Sequence, residues 1–293
     1  MTDLTGEPTH DRGDGSDRNI GRELVDRLVA ADVGVRAVSR DPERAGLPAG
    51  VEVVRADLAG GAEPDGLFTG ARALFLNIAA TGLEAGGLIE AAAKAGVRRI
   101  VFNSSMSVTD TPADEEGFIA RAHAAAERAI RDSGLEWTFV RGGMYATNAL
   151  QWAEQIRSEG VVRGAYAGAV GAPVHEADLA DIAAAALLDT TGAHLGQVYV
   201  ATGPAGLTMA EQVDAIGRAL GRPEVRFEEV SFEEAVAAME RAGAPRVAAE
   251  DIIRYFGASV GQEAPVTDAV QRVTGHPARS FEQWARDHVA DFR

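Results

Sequence analysis

The fold of this chain is decided by the stretch Gly13-Asp14-Gly15-Ser16-Asp17-Arg18-Asn19-Ile20-Gly21-Arg22-Glu23-Leu24. Gly15 and Gly21 fit the first and third positions of a G-x-x-G-x-x-G loop, and Arg18 occupies the middle position. Glycines in such a loop let the backbone approach a pyrophosphate, with a helix N-terminus behind it. Apolar residues at helical spacing follow at once; they are Ile20, Leu24, Val25, Leu28 and Val29. The stretch therefore predicts a dinucleotide loop that leads into a helix.

A dinucleotide loop normally follows a buried strand, and the residues before this loop do not predict one. The run Thr9-His10-Asp11-Arg12 is polar, so we expect residues 1–18 to be a loose polar tail. The other candidate, Leu4-Thr5-Gly6, would need a long insertion before the helix. Arg18 either pairs with a phosphate or fills the pyrophosphate space, and we favour the second effect, which would weaken cofactor binding. The loop is thus predicted to be degenerate.

Beyond the loop, short apolar strands alternate with helices. Strands are predicted at 33–38, 51–54, 73–78, 98–102, 137–141 and 197–201, and helices from residue 20, at 83–95 and at 114–132. Further helices are predicted at 147–158, 178–188, 208–220, 232–242, 246–257, 264–274 and 280–291. This pattern predicts the α/β class, with a Rossmann-type doubly wound parallel sheet and a smaller, mostly helical C-terminal substrate lobe. We place the Rossmann-like domain at 19–150, and the remaining core elements and the lobe at 151–293.

Composition limits the partners and the chemistry. The 293 residues carry a formal net charge of −16, which argues against nucleic acid and anionic membranes as partners. The chain has no cysteine, which excludes thiol nucleophiles and cysteine metal sites. His175 and Asp178 are three residues apart without a third ligand nearby in sequence, so no metal is predicted. No apolar signal or membrane segment is apparent, and we expect a cytoplasmic protein that binds a small-molecule substrate.

A series of different short motifs follows in order along nearly the whole chain. They are Asn19-Ile20-Gly21-Arg22-Glu23-Leu24, Val38-Ser39-Arg40-Asp41-Pro42, Val54-Arg55-Ala56-Asp57-Leu58, Phe102-Asn103-Ser104-Ser105, Ser133-Gly134-Leu135-Glu136-Trp137-Thr138, Val140-Arg141-Gly142, Ala177-Asp178-Leu179-Ala180-Asp181-Ile182-Ala183 and Thr202-Gly203-Pro204. In this order and spacing they resemble the NmrA-like, atypical short-chain dehydrogenase/reductases, including NAD(P)H-binding, quinone reductase-like members. The resemblance implies a Rossmann-type fold with an active site at the carboxyl ends of the strands.

The resemblance also implies residues that contact a cofactor. Arg40 stands where the family holds a 2′-phosphate, which favours NADP(H), although a solvent-exposed surface arginine is an equal alternative. Asp57 is placed either to bind the adenine amine or to cap a helix. Asn77 either lines the nicotinamide side or is satisfied by the backbone. With the loop, these residues make up the predicted cofactor site.

The Tyr-x-x-x-Lys pair of the classical members is absent, because Ile119 and His123 stand at those positions. Ser105 is nearest the family's catalytic serine position and Ser107 lies beside it, although strand-end turns also favour serine. His123 and Glu127 are four residues apart on one helix face and can touch. We take His123 as the best general acid or base, with a buried structural pair as the alternative.

The resemblance places four further residues near the substrate. Arg141 ends a strand, and Tyr145 and Asn148 follow where the family lines its substrate pocket. Tyr145 is a catalytic candidate that would orient the acceptor carbonyl, and Trp152 would add an aromatic wall. The alternatives are a packed aromatic side chain for Tyr145 and a helix cap for Asn148.

Three functions remain open at this point. The first is NADPH-dependent reduction of a quinone, an enone or an aromatic polyketide. The second is a redox-neutral cyclase, dehydratase or isomerase that has lost dinucleotide binding, with His123 as acid or base; the degenerate loop favours it. The third is a non-enzymatic regulator of the NmrA-like kind. The cofactor is accordingly NADP(H) or none.

Overall fold

The computed structural model describes residues 2–6, 20–58, 66–78, 85–112 and 117–293, the first range by its backbone alone. At its centre lies a seven-stranded parallel sheet. Its strands are β1 (Thr2–Gly6), β2 (Val35–Ser39), β3 (Glu52–Arg55), β4 (Ala71–Asn77), β5 (Arg99–Ser105), β6 (Glu136–Gly142) and β9 (Gln197–Ala201). Their order in the sheet is β3-β2-β1-β4-β5-β6-β9. The direction of winding reverses between β1 and β4, and open parallel sheets bind ligands at the carboxyl edge of such a switch point.

The position of β1 corrects the sequence analysis. We predicted a loose tail over residues 1–18, but residues 2–6 pair with β2 on one side and with β4 on the other. The prediction is therefore wrong for this segment, and Leu4-Thr5-Gly6, which we had set aside, belongs to the first strand. Pairing on both sides satisfies its backbone, which outweighs a composition that contains a single large apolar residue. Residues 7–19 lie outside the described part of the chain, and they include Gly15 and Arg18.

Helices cover both faces of the sheet, which confirms the doubly wound fold. α1 (Ile20–Ala30) and α5 (Glu176–Leu188) pack on one face, and α2 (Gly86–Lys94) and α3 (Phe118–Asp132) pack on the other. Successive side chains along a strand point alternately into the two cores, because the side-chain period of a strand is two residues. In β4, Ala73 and Phe75 join the first core, whereas Leu74 and Leu76 join the second.

The second part of the chain adds a lobe of helices and short strands. Its helices are α4 (Ala153–Ser158), α6 (Met209–Leu220), α7 (Phe232–Arg241), α8 (Arg246–Ala258), α9 (Ala269–Thr274) and α10 (Phe281–Asp287). β7 (Val161–Gly164) pairs with β11 (Arg226–Glu229), and β8 (Val170–Gly171) pairs with β10 (Leu207–Thr208). Among the described residues, no helix is long and apolar enough to cross a membrane.

The elements of the lobe depart from the predictions in three places. The helix predicted at 147–158 is a 3-10 turn over Ala146–Trp152 followed by α4. Residues 160–173, where the sequence predicts neither a helix nor a strand, hold β7 and β8, whose pairing partners are distant strands. The helix predicted at 264–274 begins only at Ala269, and residues 263–268 are not helical. Pro265 disfavours a helical conformation in the residue before it.

A buried histidine fastens the C-terminal segment to the sheet layers. His288 is fully buried, with Nε2 2.7 Å from Glu176 Oε1 and Nδ1 2.6 Å from Asp291 Oδ2. Burial alone would lower the pKa of His288, but its hydrogen bonds to Asp291 and Glu176 raise that pKa to about 9. The ring is therefore protonated at neutral pH and donates from both nitrogens. Because Glu176 opens α5, this ion-paired group ties the end of the chain to the helix layer.

Candidate active site

Four strands of the sheet end side by side at its carboxyl edge. In the register of the sheet, Asn77 lies beside Asn103, Ser105 lies beside Gly142, and Gly142 lies beside Ala201. This register places the predicted residues Asn77 and Ser105 at the same edge. The edge adjoins the switch point between β1 and β4, where this class of sheet binds dinucleotides.

The described residues at the switch point fit a phosphorylated dinucleotide. Gly21 is buried in the first turn of α1, whose N-terminal end attracts anions. Arg40 follows the last residue of β2 and is exposed, which suits a 2′-phosphate. Asp57 lies two residues beyond β3 and is also exposed. Gly21 at the N-terminal end of α1 and Arg40 at the end of β2 thus lie at the carboxyl edge of the sheet.

Ser105 and Ser107 form a short hydroxyl chain at the end of β5. The hydroxyl of Ser107 donates to Ser105 Oγ at 2.9 Å, and the backbone N–H of Ser107 donates to the same oxygen at 3.2 Å. Ser105 Oγ therefore accepts two hydrogen bonds, which leaves its own hydrogen to donate. Ser105 is 9% exposed and directly precedes Met106 in the chain. The serine pair predicted from the sequence is thus one hydrogen-bonded unit, with a single donor to offer.

Tyr145 lies under the end of β6, with its hydroxyl group engaged. Its Oη donates to the carbonyl oxygen of Ser104 at 2.8 Å and lies 3.4 Å from Asn103 Oδ1. Burial raises the pKa of this phenol above its usual value. Gly142 makes room for the ring, because a Cβ atom there would lie 2.7 Å from Tyr145 Cζ. Tyr145 therefore stays protonated and holds the strand ends, and it has no hydrogen left to donate to a substrate.

Arg141, which was predicted to lie near the substrate, has its guanidinium group bound by the buried carboxylate of Glu127 and the exposed carboxylate of Asp110. Its Nε and Nη2 donate to Glu127 at 2.9 and 2.7 Å, and its Nη1 and Nη2 donate to Asp110 at 2.7 and 2.9 Å. Glu127, which is fully buried, also accepts from Ser104 Oγ at 2.6 Å and from Arg131 at 3.1 Å. These ion pairs and hydrogen bonds join α3 to the ends of β5 and β6, and they hold the loop that carries Asp110.

His123 and Glu127 do not form the predicted pair, because Glu127 is already bonded to Ser104, Arg131 and Arg141. His123 Nδ1 lies 2.9 Å from the carbonyl oxygen of Ile119, one helical turn back. Since a carbonyl accepts, this nitrogen carries the ring hydrogen. Burial lowers the pKa of His123, and the hydrogen bond to Ile119 and the charge of Glu127 only partly oppose that effect. The ring is neutral at pH 7 and suited to accepting a proton rather than to donating one.

An apolar cleft of about 250 Å³ opens beside these strand ends. Met106 and Met144 reach it from β5 and β6, and Thr202 reaches it from the end of β9. The lobe contributes the opposite wall, which includes Val170, Tyr255 and Glu263. The cleft therefore lies between the carboxyl edge of the sheet and the lobe.

Two predicted substrate residues lie away from this cleft. Trp152 is 9% exposed and packs in the core of the lobe with Ile156 and Trp284, so it does not line this cleft. Asn148 is exposed within the 3-10 turn, and it does not cap that turn, since Tyr145 precedes the first residue. The sequence did not single out Met106 and Met144, because apolar residues on loops give no periodic signal. It also did not single out residues 255–265, which begin at the end of α8 and continue into the loop after it.

Asp178 lies in a cluster that the sequence did not reveal. Ligand atoms of Asp178, Asp181 and His276 come within 4.8 Å of one another. Arg279 already bonds both carboxylates, and Arg27 of α1 bonds Asp181. Two guanidinium groups thus neutralise the acids that a cation would need. The cluster is an ion-paired connection between α1, α5 and the segment after α9.

The fold and the carboxyl-edge site define a Rossmann-type NAD(P)-binding protein. A sequence model described as NAD(P)H-binding matches residues 15–190, which is more than half of the chain. The chain belongs to this NAD(P)H-binding family, and its resemblance to the NmrA-like and quinone reductase-like members is confirmed. The matched range contains every predicted cofactor residue.

Two curated relatives and one solved structure are similar over most of the chain. A (4-alkanoyl-5-oxo-2,5-dihydrofuran-3-yl)methyl phosphate reductase of Streptomyces griseus is 40% identical over 276 residues, covering 93% of this chain and 95% of the relative. An NAD(P)H azoreductase of Xenophilus azovorans is 35% identical over 208 residues, covering 70% of each chain. The NADPH-complexed quinone oxidoreductase of Escherichia coli has a TM-score of 0.74 at 24% identity, covering 98% of this chain and 99% of the other. The structural likeness shows the shared fold.

Proposed function

We propose that the chain is an NADPH-dependent reductase of a small organic acceptor bound in the apolar cleft. The observation that carries the proposal is the hydroxyl chain at the end of β5. Ser105 accepts two hydrogen bonds from Ser107, which leaves its own hydroxyl hydrogen available for a substrate oxygen. Ser105 directly precedes Met106, which lines the cleft. The relatives named as reductases support the same class of reaction.

The cofactor in this proposal is NADP(H). The N-terminal end of α1 with Gly21 would hold the pyrophosphate, and Arg40 would hold the 2′-phosphate. Asp57 and Asn77 would bind the adenine and nicotinamide ends of the molecule. When bound, NADPH supplies a hydride to an electrophilic carbon. One argument for a cofactor-independent enzyme disappears, since the first strand exists as β1.

The acceptor would be a carbonyl compound conjugated to a C=C bond, such as an enone or a quinone. If hydride were delivered to the β-carbon of such an acceptor, the π electrons would move onto the carbonyl oxygen, and the resulting enolate would take its proton from water. Ser105 stabilises the growing charge on that oxygen with one hydrogen bond. His123 is neutral and bound through Nδ1, and Tyr145 donates to Ser104, so neither is suited to that role. The name of the Streptomyces griseus relative specifies a conjugated carbonyl of this kind.

Titration with NADPH and NADH, followed by fluorescence and calorimetry, tests the proposal. We expect micromolar binding of NADPH and weaker binding of NADH. Arg40→Ser should weaken NADPH binding about tenfold and leave NADH binding unchanged, because only NADPH carries the 2′-phosphate. Lack of NADPH binding at millimolar concentration would contradict the proposal and favour the cofactor-independent enzyme.

A further inference from the structure

One segment of the lobe, residues 259–267, supplies a large part of the cleft wall that faces the strand ends. It lines the cleft through Ser259, Gln262, Glu263, Ala264 and Pro265. We propose that this segment selects the acceptor, and that the side-chain amide of Gln262 binds a carbonyl or hydroxyl group on a substituent of the acceptor. That group is distinct from the conjugated carbonyl. The inference rests on the proposed function in assigning the cleft to the acceptor.

Two polar residues of the cleft wall already use their hydroxyl hydrogens within the protein. Thr202 Oγ1 donates to the carbonyl oxygen of Gly203 at 3.0 Å, and Ser259 Oγ donates to the carbonyl oxygen of Phe256 at 2.8 Å. Gln262 lines the cleft and is exposed, and its amide makes no hydrogen bond with the described residues. An amide of this kind offers two donor hydrogens and one acceptor oxygen. It can therefore bind either a carbonyl or a hydroxyl group of a ligand.

Hydrogen bonds fasten both ends of the segment 259–267. At its start, Ser259 Oγ accepts from the backbone N–H of Val170 in β8 at 3.0 Å. At its end, Thr267 Oγ1 donates to the carbonyl oxygen of Val200 in β9 at 2.6 Å, and the Thr267 N–H donates to Thr202 Oγ1 at 2.9 Å. The backbone that carries Gln262 is therefore held against the end of the sheet. A contact that selects one substituent position needs a support of this kind.

A close approach of Gly206 holds the segment near its middle. A Cβ atom at Gly206 would lie 2.9 Å from the Cβ atom of Ala264. The Cβ atom of alanine moves only with its own backbone, so a methyl group at Gly206 must displace the segment at Ala264. Ala264 lines the cleft and Gly206 does not, which makes Gly206 a positioning residue.

Two naphthoquinones of nearly equal size test the role of Gln262. One carries a hydroxymethyl group and the other an ethyl group at the same ring carbon, so a hydroxyl replaces a methyl. Calorimetry with the full chain and no cofactor gives the ratio of their dissociation constants. Gln262→Leu should shift this ratio about fivefold against the hydroxymethyl compound, because it removes the amide. Gln151→Leu, the same substitution at an exposed position outside the cleft, should leave the ratio unchanged.

A glycine substitution tests the position of the segment. Gly206→Ala should weaken binding of both naphthoquinones about tenfold and leave the dissociation constant of NADPH unchanged. A general loss of structure would weaken NADPH binding as well. Gly168→Ala is the matched control, because its Cβ atom would lie at an ordinary 3.8 Å from Val260 Cγ1. It should leave the binding of both compounds unchanged.

The outcomes separate this inference from the proposed function. A ratio that Gln262→Leu does not change, an equal change in Gln151→Leu, or binding of neither compound would overturn the inference. A ratio that Tyr255→Phe shifts and Gln262→Leu does not would also overturn it. Unchanged binding in Gly206→Ala would overturn the positioning role, and Gln262→Leu decides alone if that variant does not fold. The predicted shift in Gln262→Leu, without any NADPH oxidation by the parent, would leave the inference standing and would remove the proposed reductase activity.

Discussion

Arg141 binds Glu127 through two parallel hydrogen bonds, from Nε at 2.9 Å and from Nη2 at 2.7 Å, inside the edge of the sheet. Arg141 is 5% exposed and Glu127 is fully buried. Because the two residues lie on β6 and α3, the pair fixes the helix against the strand end that carries the candidate site. A charge-assisted, bidentate pair of this kind defines geometry as well as energy.

Removing one partner of this pair should therefore lower the free energy of unfolding much more than removing both. Arg141→Met leaves the Glu127 carboxylate buried with a weakened set of partners, and we expect a loss of about 3–5 kcal/mol in the free energy of unfolding. Arg131→Met, which removes a partner that is more exposed, should cost about 1 kcal/mol. The double variant Glu127→Leu/Arg141→Met should recover much of the loss. Urea unfolding measures all three, and an Arg141→Met variant as stable as the parent would contradict the account.

The sequence indicated a different partner for Glu127, and the reason is general. Spacing along a helix shows which neighbours Glu127 can reach, and it predicted His123. Arg131, four residues along the helix, is one actual partner. The other two, Ser104 and Arg141, come from adjacent strands, and strand register is a long-range property that one sequence does not display. The same reasoning explains β1, whose pairing with β2 and β4 depends on residues far along the chain. The helix α1, with its helical spacing of apolar residues, and the strand β4, with its continuous apolar run, were predictable because their own side chains carry the signal.

The stability of the protein should fall as pH rises from 6.5 to 9, because of His288. The pKa of His288 is raised to about 9 in the folded state by Asp291 and Glu176 and is near 6.5 in the unfolded state. Its contribution is fully present below pH 6.5, where both states are protonated, and is lost as pH rises through 9. We expect a loss of at most about 3 kcal/mol over this range. Thermal unfolding should show it, and His288→Gln should show little of that pH dependence. If the stability of His288→Gln fell with pH as steeply as that of the parent, His288 would not be the group responsible.

A methyl group at Gly142 should displace Tyr145. The added Cβ would lie 2.7 Å from Tyr145 Cζ, which is too close for any contact, so the ring must leave its position against Ser104. We expect Gly142→Ala to cost about 1–3 kcal/mol and to reduce acceptor turnover. Gly86→Ala is the matched control, because an added methyl there meets nothing within 4 Å and a helix favours alanine. Equal behaviour of the two variants in unfolding and turnover assays would count against the role of Gly142.

Ser105→Ala should lower kcat/KM for the acceptor by about 10- to 100-fold, because it removes the donor to the developing oxyanion. The dissociation constant of NADPH should stay unchanged. Ser107→Ala removes only the group that orients Ser105, so we expect a loss of about threefold. Steady-state kinetics with a naphthoquinone acceptor measures both variants. A Ser105→Ala enzyme within twofold of the parent would assign the carbonyl contact to another group.

The central claim is direct reduction of the acceptor by NADPH at the carboxyl edge of the sheet. The most direct measurement uses NADPH deuterated at nicotinamide C4 on one face or the other, with an enone acceptor, and locates the label by mass spectrometry and NMR. The account predicts that one of the two labelled cofactors transfers its deuterium to the β-carbon of the product, with one NADP⁺ formed per product. Product formed without label from either cofactor, or formed without NADPH, would contradict it.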